Sequence, residues 1–218
     1  AGVPEDVQNT ARAAAEKDGK PGYKLTLKMP CYLPVMQFAS NSELRQQLYR
    51  AYVTRASDQA TEEFAALDNS ALIQEILQLR QEEAQLLGFK NYAEVSVATK
   101  MADSPAKVIA FLRDLAQRAR PFAEQDLDDM RQYAADHLGL QNPQAWDWPY
   151  IGEKLKEARY SFSEQEVKQY FTAPKVLQGL FKIIETLFEV SIREDQAPVW
   201  HAAVGFYRIE RNGQLVGQ

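Results

Sequence analysis

The stretch from Asp68 to Phe89, DNSALIQEILQLRQEEAQLLGF, constrains the fold more than any other part of the chain. Leu72, Ile73, Ile76, Leu79, Leu86 and Leu87 recur at helical spacing, so one face of a long helix has to be covered by another element. Asp68 or Asn69 supplies a start signal and Gly88 a stop. The same period returns twice. In DSPAKVIAFLRDLAQRARPFAEQDLDDMRQYAADHLGL, Ser104 is the cap and Pro105 takes the first helical position, where a missing N–H costs nothing. Pro121 lies far inside that pattern and predicts a kink or a restart near Arg120. APKVLQGLFKIIETLFEV then sets Leu177, Leu180, Phe181, Ile184, Leu187 and Phe188 on one stripe. Long amphipathic helices that need partners make the class mainly α.

Shorter signals fill in the rest. AGVPEDVQNTARAAAEKDGKPG is an Ala-rich helix closed by a Gly/Pro breaker. In YKLTLKMP, Tyr23, Leu25 and Leu27 alternate, predicting a short strand over about 23–29. Asn41 to Ser57 opens at a polar cap and places Leu44, Leu48 and Ala51/Tyr52 on one face, so it is helical, and NYAEVSVATKMA adds another helical stretch. LQNPQAWDWPY is a breaker-rich connector that divides 1–145, helical with its one early strand, from 146–218, helices and then a hairpin, within one continuous piece. Ser163 to Glu166 reads as a capping box. Asn212-Gly213 is a type I′ turn signal, because both residues accept φ > 0. Pairing outward sets Arg211 against Gln214, Ile209 against Val216 and Tyr207 against Gln218. The expected fold is a mainly α, helical bundle-like segment with a short strand near the start and a β-hairpin at the C-terminal end.

Composition narrows the function classes. With 218 residues, 45% hydrophobic and 25% charged, the chain is of ordinary globular composition and should bury roughly 70% of its unfolded surface. A formal charge of −5 and a pI near 5.2 argue against nucleic acid or an anionic membrane as partner. No apolar run is long enough to span a bilayer. The single cysteine, Cys31, makes no internal disulfide, which fits a cytoplasmic location. The start AGVPEDVQNT has no initiator Met and no signal-peptide pattern, and the last strand runs out as soon as it has formed. The expectation is an excised piece of a larger cytosolic protein whose sheet continues beyond Gln218. Its exposed edge strand ending at Gln218 is expected to self-associate or to leave its last residues disordered.

Residue types that carry chemistry are sparse. The two histidines, His137 and His201, are far from the four-residue spacing of an H-E-x-x-H zinc helix. His137 ends a helix, where a cation complements the terminal carbonyls; His201 in VWHAAV reads as a packed or hydrogen-bonded strand-edge residue. There is no G-x-S-x-G elbow, phosphate loop or dinucleotide turn. Cys31 in MPCYLP reads as a small buried residue, DLDDM (Asp126 to Met130) as a solvated helix face, and the aromatics of WDWPY as packing between helices. No catalytic or metal residue is assigned on this chain, and the substrate-binding residues are unassigned.

Phrase order carries more. LTLKMPCYLPVMQFASNSELRQQLYRAYVTRASD, DNSALIQEILQLRQEEAQLLGFKNYAEVSVATKMA, the RARP of Arg118 to Pro121, WDWPY, RYSFSEQEVKQYF, VLQGLF and VWHAAV follow one another as in the thimet oligopeptidase family of zinc metallopeptidases. The resemblance runs from about Gly22 to Gly217. It implies a piece of a zincin-type oligopeptidase: a mostly helical, soluble enzyme that hydrolyses short peptides inside a channel between two lobes. It also implies zinc in the full-length parent, held by an H-E-x-x-H helix and a downstream glutamate that lie C-terminal of the hairpin. No zinc is therefore expected in this piece, which supplies channel wall and is inactive alone. The sequence departs from the family pattern at Ala202-Ala203, Ile151 and Thr172, where relatives tend to carry aspartate, tyrosine and proline. The alternative is a non-catalytic helical scaffold or interaction protein with a peptidase-like fold.

Overall fold

The computed structural model describes residues 1–162 and 164–218, with residues 164 and 165 described by their backbone only. The capping box read at Ser163 lies outside the described residues. The chain forms two compact units, Ala1–Ser161 and Phe162–Gln218, so residues 146–161 pack with the first.

The first unit contains helices α1 (Glu5–Lys17), α2 (Met29–Phe38), α3 (Ser42–Val53), α4 (Ser70–Leu86), α5 (Tyr92–Ala98), α6 (Pro105–Leu138) and α7 (Trp148–Tyr160), with a 3-10 segment Glu62–Leu67 before α4. The starts follow the sequence signals. The side chains of Asn41, Asn91 and Ser104 accept from the backbone N–H of Leu44, Glu94 and Lys107. Before α4 the acceptor is Asp68, whose Oδ1 takes both the hydroxyl and the backbone N–H of Ser70, and these bonds hold its carboxyl below the ordinary range. Helix α6 ends at Gly139 in the left-handed region (φ 67°), with Leu140 N–H bonded to the Ala134 carbonyl.

The core sits where α1, α2, α3 and α7 meet. Tyr32, Val35, Met36, Ala39 and Leu48 form its centre, and Val3, Leu25, Leu27, Leu44, Tyr49, Tyr52 and Trp146 pack around it. Helix α2, MPCYLPVMQF, is apolar almost throughout because α1, α3 and α7 all lie against it. Its two prolines look like breakers in sequence. Pro30 falls in the first turn, where its N–H would have no partner anyway, and Pro34 removes one further bond.

One expectation is corrected here, and of the two outcomes expected at Pro121 one is set aside. The strand over 23–29 does not form. The backbone N–H of Lys24 donates to the Ala11 carbonyl and that of Thr26 to Cys31 Sγ, so a helix and a thiol take the donors a strand ladder would have used. The alternation of Leu25 and Leu27 records an extended segment lying on the core with no strand beside it. Nor does the long helix restart at Pro121: α6 is one element from Pro105 to Leu138. Proline there deletes only the bond its own N–H would have made to residue 117, and the flanking turns hold.

The second unit contains a short helix α8 (Glu164–Lys168), helix α9 (Ala173–Phe188) and an antiparallel sheet in the order β1 (Ser191–Glu194), β2 (Tyr207–Arg211), β3 (Gln214–Gly217). Asn212 (φ 51°) and Gly213 (φ 75°) make the expected turn. Arg211 pairs with Gln214 as expected, but Ile209 faces Gly217 and not Val216, because a bulge at Val216 adds one residue to β3. Phe181 of α9 meets the Tyr207 ring edge-on, with centroids 4.8 Å apart.

Burial falls short of the expected figure. The chain leaves 16789 Å² accessible, about half of its unfolded surface. Much exposed apolar surface lies on the amphipathic helices. Leu72, Ile73, Ile76 and Leu79 of α4, Phe111, Leu112 and Phe122 of α6, and Leu180, Ile183 and Leu187 of α9 are all exposed.

One close approach at the N-terminus gives a sharp test. Gly2 has φ +89°, and a Cβ there would lie 2.1 Å from the Phe38 carbonyl oxygen. Gly2→Ala is expected to lift residues 1–3 off α2, breaking the bond from Ser40 N–H to the Ala1 carbonyl. The cost should be about 1–3 kcal/mol, read as a lower denaturation midpoint. An unchanged midpoint would show that the segment contributes nothing.

Candidate functional site

Among the described residues, three charged side chains are buried: Arg45, Asp147 and Glu153. The first two form one cluster. The Asn41 cap sets the start of α3 and so places Arg45 in its first turn, beside the end of α2, where Arg45 Nη1 donates to the Ala39 carbonyl. Nη2 donates to Asp147 Oδ1 at 2.6 Å. That oxygen also accepts from Ser42 Oγ at 2.9 Å, and Oδ2 accepts from the Gln144 backbone N–H at 3.0 Å. Trp146 Nε1 donates to Ser42 Oγ at 3.2 Å, and the Arg45 guanidinium lies 4.4 Å from the Tyr150 ring centroid. Arg45 Nε has no hydrogen-bond partner among the described residues.

This constellation clamps α3 and the end of α2 to the connector before α7. It holds the Ser42 hydroxyl against a carboxylate that is already ion-paired with Arg45, and it contains no imidazole of the kind a serine triad uses. Glu153, one turn beyond Tyr150, pairs with Lys156 at 2.7 Å and leaves Oε1 without a partner. Neighbouring aromatics continue the packing. Tyr32 stacks on Tyr52 at 4.4 Å, with Arg55 over the outer face of Tyr52, and burial pushes the Tyr32 hydroxyl up. Trp146 lies 6.1 Å from Tyr49 in the same core. The WDWPY tryptophan thus fills the space between helices.

The remaining candidates are dispersed. His137 is exposed in the last turn of α6 with its ring 4.8 Å from Tyr133, while Gly139 closes the helix. His201 is exposed and its Nδ1 accepts from Ala203 N–H at 3.1 Å; it belongs to a turn and not to a strand edge. Cys31 is half-buried in the first turn of α2. In DLDDM, Asp128 pairs with Arg131 and Asp129 reaches Arg159 of α7 at 2.6 Å, so the acidic run is a solvated face with one tie to its neighbour. No three His, Cys, Asp or Glu side chains converge among the described residues. They do not fit a zinc ion, which needs at least three such donors.

An open pocket of about 450 Å³ lies between α5 and the start of α6. Phe89, Val97, Ala98, Ala102 and Pro105 line it, and its polar groups are already engaged. Glu94 accepts from Lys90 N–H, Lys100 donates to Ser96 Oγ, and Asp103 pairs with Lys107. No helix among the described residues is long and apolar enough to cross a membrane. The most extensive unsatisfied features are therefore the bare apolar faces of α4, α6 and α9.

Sequence reasoning reached the helices carrying those faces but missed the Arg45–Asp147 cluster. Its members lie 102 positions apart, and the one local signal was a charged residue set between two tryptophans.

Comparison with known proteins gives these faces a context. Residues 35–218 match the model of peptidase family M3. The chain is 44% identical to oligopeptidase A of Salmonella typhimurium over its whole length, and 44% identical to oligopeptidase A of Escherichia coli, covering 32% of each relative. It is 30% identical to a dipeptidyl carboxypeptidase of Salmonella typhimurium over 94% of this chain and 30% of that one. The chain thus spans about a third of the length of the curated relatives it matches.

Proposed function

The chain belongs to peptidase family M3, and from that premise we propose that it is a wall-forming, non-catalytic third of a zinc-dependent oligopeptidase. In this reading the longer polypeptide is cytoplasmic and hydrolyses short peptides in a channel. Nucleic acid and membrane are not its partners. This segment supplies helical wall, and the zinc ligands and the general base come from elsewhere in the polypeptide.

The observation that carries the reading is the set of uncovered apolar stripes on α4, α6 and α9. Each of these helices leaves at least three large apolar side chains exposed, and an apolar helix face ordinarily packs against another element. Packing within a longer chain would cover them. The buried clamp of Arg45 and Asp147 supports the same role, since it fixes helices and performs no chemistry.

A segment exchange tests the proposal. Residues 1–218 replace the aligned third of Escherichia coli oligopeptidase A, and hydrolysis of a short quenched fluorescent peptide is followed. The chimera is expected to fold, to cleave the peptide within about tenfold of the parent rate, and to lose activity on zinc removal. A chimera that folds and holds zinc yet cleaves no peptide would overturn the wall reading in favour of a scaffold that has lost its chemistry.

A further inference from the structure

Helix α9 meets the sheet with one side only. Phe181 lies against Tyr207, and Glu185 Oε1 accepts from the Ile192 backbone N–H at 2.8 Å. About a third of a turn away around the helix, Val176, Leu180, Ile183 and Leu187 follow one another at spacings of four, three and four residues, and they are between 47 and 70% exposed. That spacing is the seam of a helix that packs against a second helix, knobs into holes. Gly179 adjoins the seam, three residues after Val176 and four before Ile183. Glycine in a helix interior is disfavoured, and neither a positive φ nor crowding calls for it here: a Cβ would meet nothing within 4 Å. What a missing side chain does allow is the close approach of another backbone.

Resting on the reading that this chain is part of a longer peptidase, we propose that the seam of Val176, Leu180, Ile183 and Leu187 docks one helix of that polypeptide from outside residues 1–218, which crosses α9 closest at Gly179. This chain covers 32% of each oligopeptidase A relative, so a longer polypeptide of that size has ample length to supply the helix. Charge states the rest of its chemistry. Lys175 and Lys182 are exposed on the Gly179 side of the seam, so the incoming helix carries an apolar stripe with acidic residues along that flank. A second copy of α9 is a poorer fit, because antiparallel pairing would set the two lysine flanks against each other.

The test compares the 218 residues alone with the segment-exchange chimera, reading amide hydrogen exchange along α9 in each. In the unsubstituted chimera, residues 176–187 should be at least about tenfold better protected than in the 218 residues alone. Gly179→Ala and Gly179→Leu should change sign between the two settings. In the 218 residues alone nothing opposes the added side chain, so helix preference should raise protection about threefold to fivefold. In the chimera the leucine should lower it at least about tenfold by forcing the crossing helix away, and the alanine by less. Ile183→Glu should cost protection in the chimera and change it less than about threefold in the 218 residues alone. Where the leucine chimera does not fold, the alanine variant decides by the same sign. Peptide hydrolysis by the unsubstituted chimera is read in parallel and bears on the wall reading, not on the seam. The proposal is overturned if α9 is no better protected in the chimera than alone, or if both Gly179 variants raise protection in both settings. It is also overturned if Gly179→Leu lowers protection in the 218 residues alone, since the occupant would then lie within them.

Discussion

Replacing Asp147 by alanine is expected to destabilise the first unit by about 3–5 kcal/mol, the usual cost of removing one partner of a buried ion pair. The side chains of Arg45 and Asp147 are only 1% and 4% exposed, so water cannot take the place of the lost carboxylate. Removal would strand the guanidinium, the Ser42 hydroxyl and the Gln144 N–H together, since all three donate to Asp147. A unit with a stability in the common range of about 5–15 kcal/mol would lose a large share of it. Chemical denaturation followed by the near-ultraviolet signal of Trp146 would read the effect. Arg45→Met in the same chain should recover part of the loss, because the double variant no longer buries an unpaired charge. If Asp147→Ala costs less than about 1 kcal/mol, the value of an exposed pair, the clamp does not hold the unit together.

The second large effect is catalytic. On the proposed reading the longer polypeptide hydrolyses short peptides with zinc, and the segment exchange above should show it. The 218 residues alone should show none: with zinc supplied, turnover of the same quenched peptide should fall at least about 10⁶-fold below the chimera, the lower end of enzymatic rate enhancement. The reason is local. The described side chains bring no three metal donors together, and no imidazole lies beside the serines that Asp147 and Asp68 hold. Wall contacts bind substrate and transition state alike, and uniform binding does not raise kcat. Dialysed protein should also hold less than stoichiometric zinc, and its melting curve should not respond to EDTA. Zinc-dependent turnover by the 218 residues, or one tightly held zinc per chain, would refute the wall assignment.

Much of this was legible in the residues because helix signals are local. Asn41, Ser104 with Pro105, and Gly139 mark their helix ends with side chains or backbone conformations that act within four positions, and Asn212-Gly213 sets its turn the same way. The apolar period of Asp68–Phe89 and of α9 named faces that need a partner, and those faces are present. The order of family phrases pointed to the family, which the match over residues 35–218 shows.

What the sequence by itself determined is where helices begin and end, which faces they offer, and the family. Tertiary structure alone decided three things. Leu25 and Leu27 alternate like a strand, yet Ala11 and Cys31 took the donors of Lys24 and Thr26, and an extended segment without a neighbouring strand is only a connection. Pro30 and Pro34 look like breakers, yet α2 forms because packing on three sides outweighs a missing hydrogen bond. Arg45 and Asp147 carry no local mark of pairing, and only the fold, by closing 102 positions of chain, made them a buried pair. In each case the deciding partner is distant along the chain. Local propensity is worth a few tenths of a kcal/mol per residue, and burial or a desolvated charge is worth several.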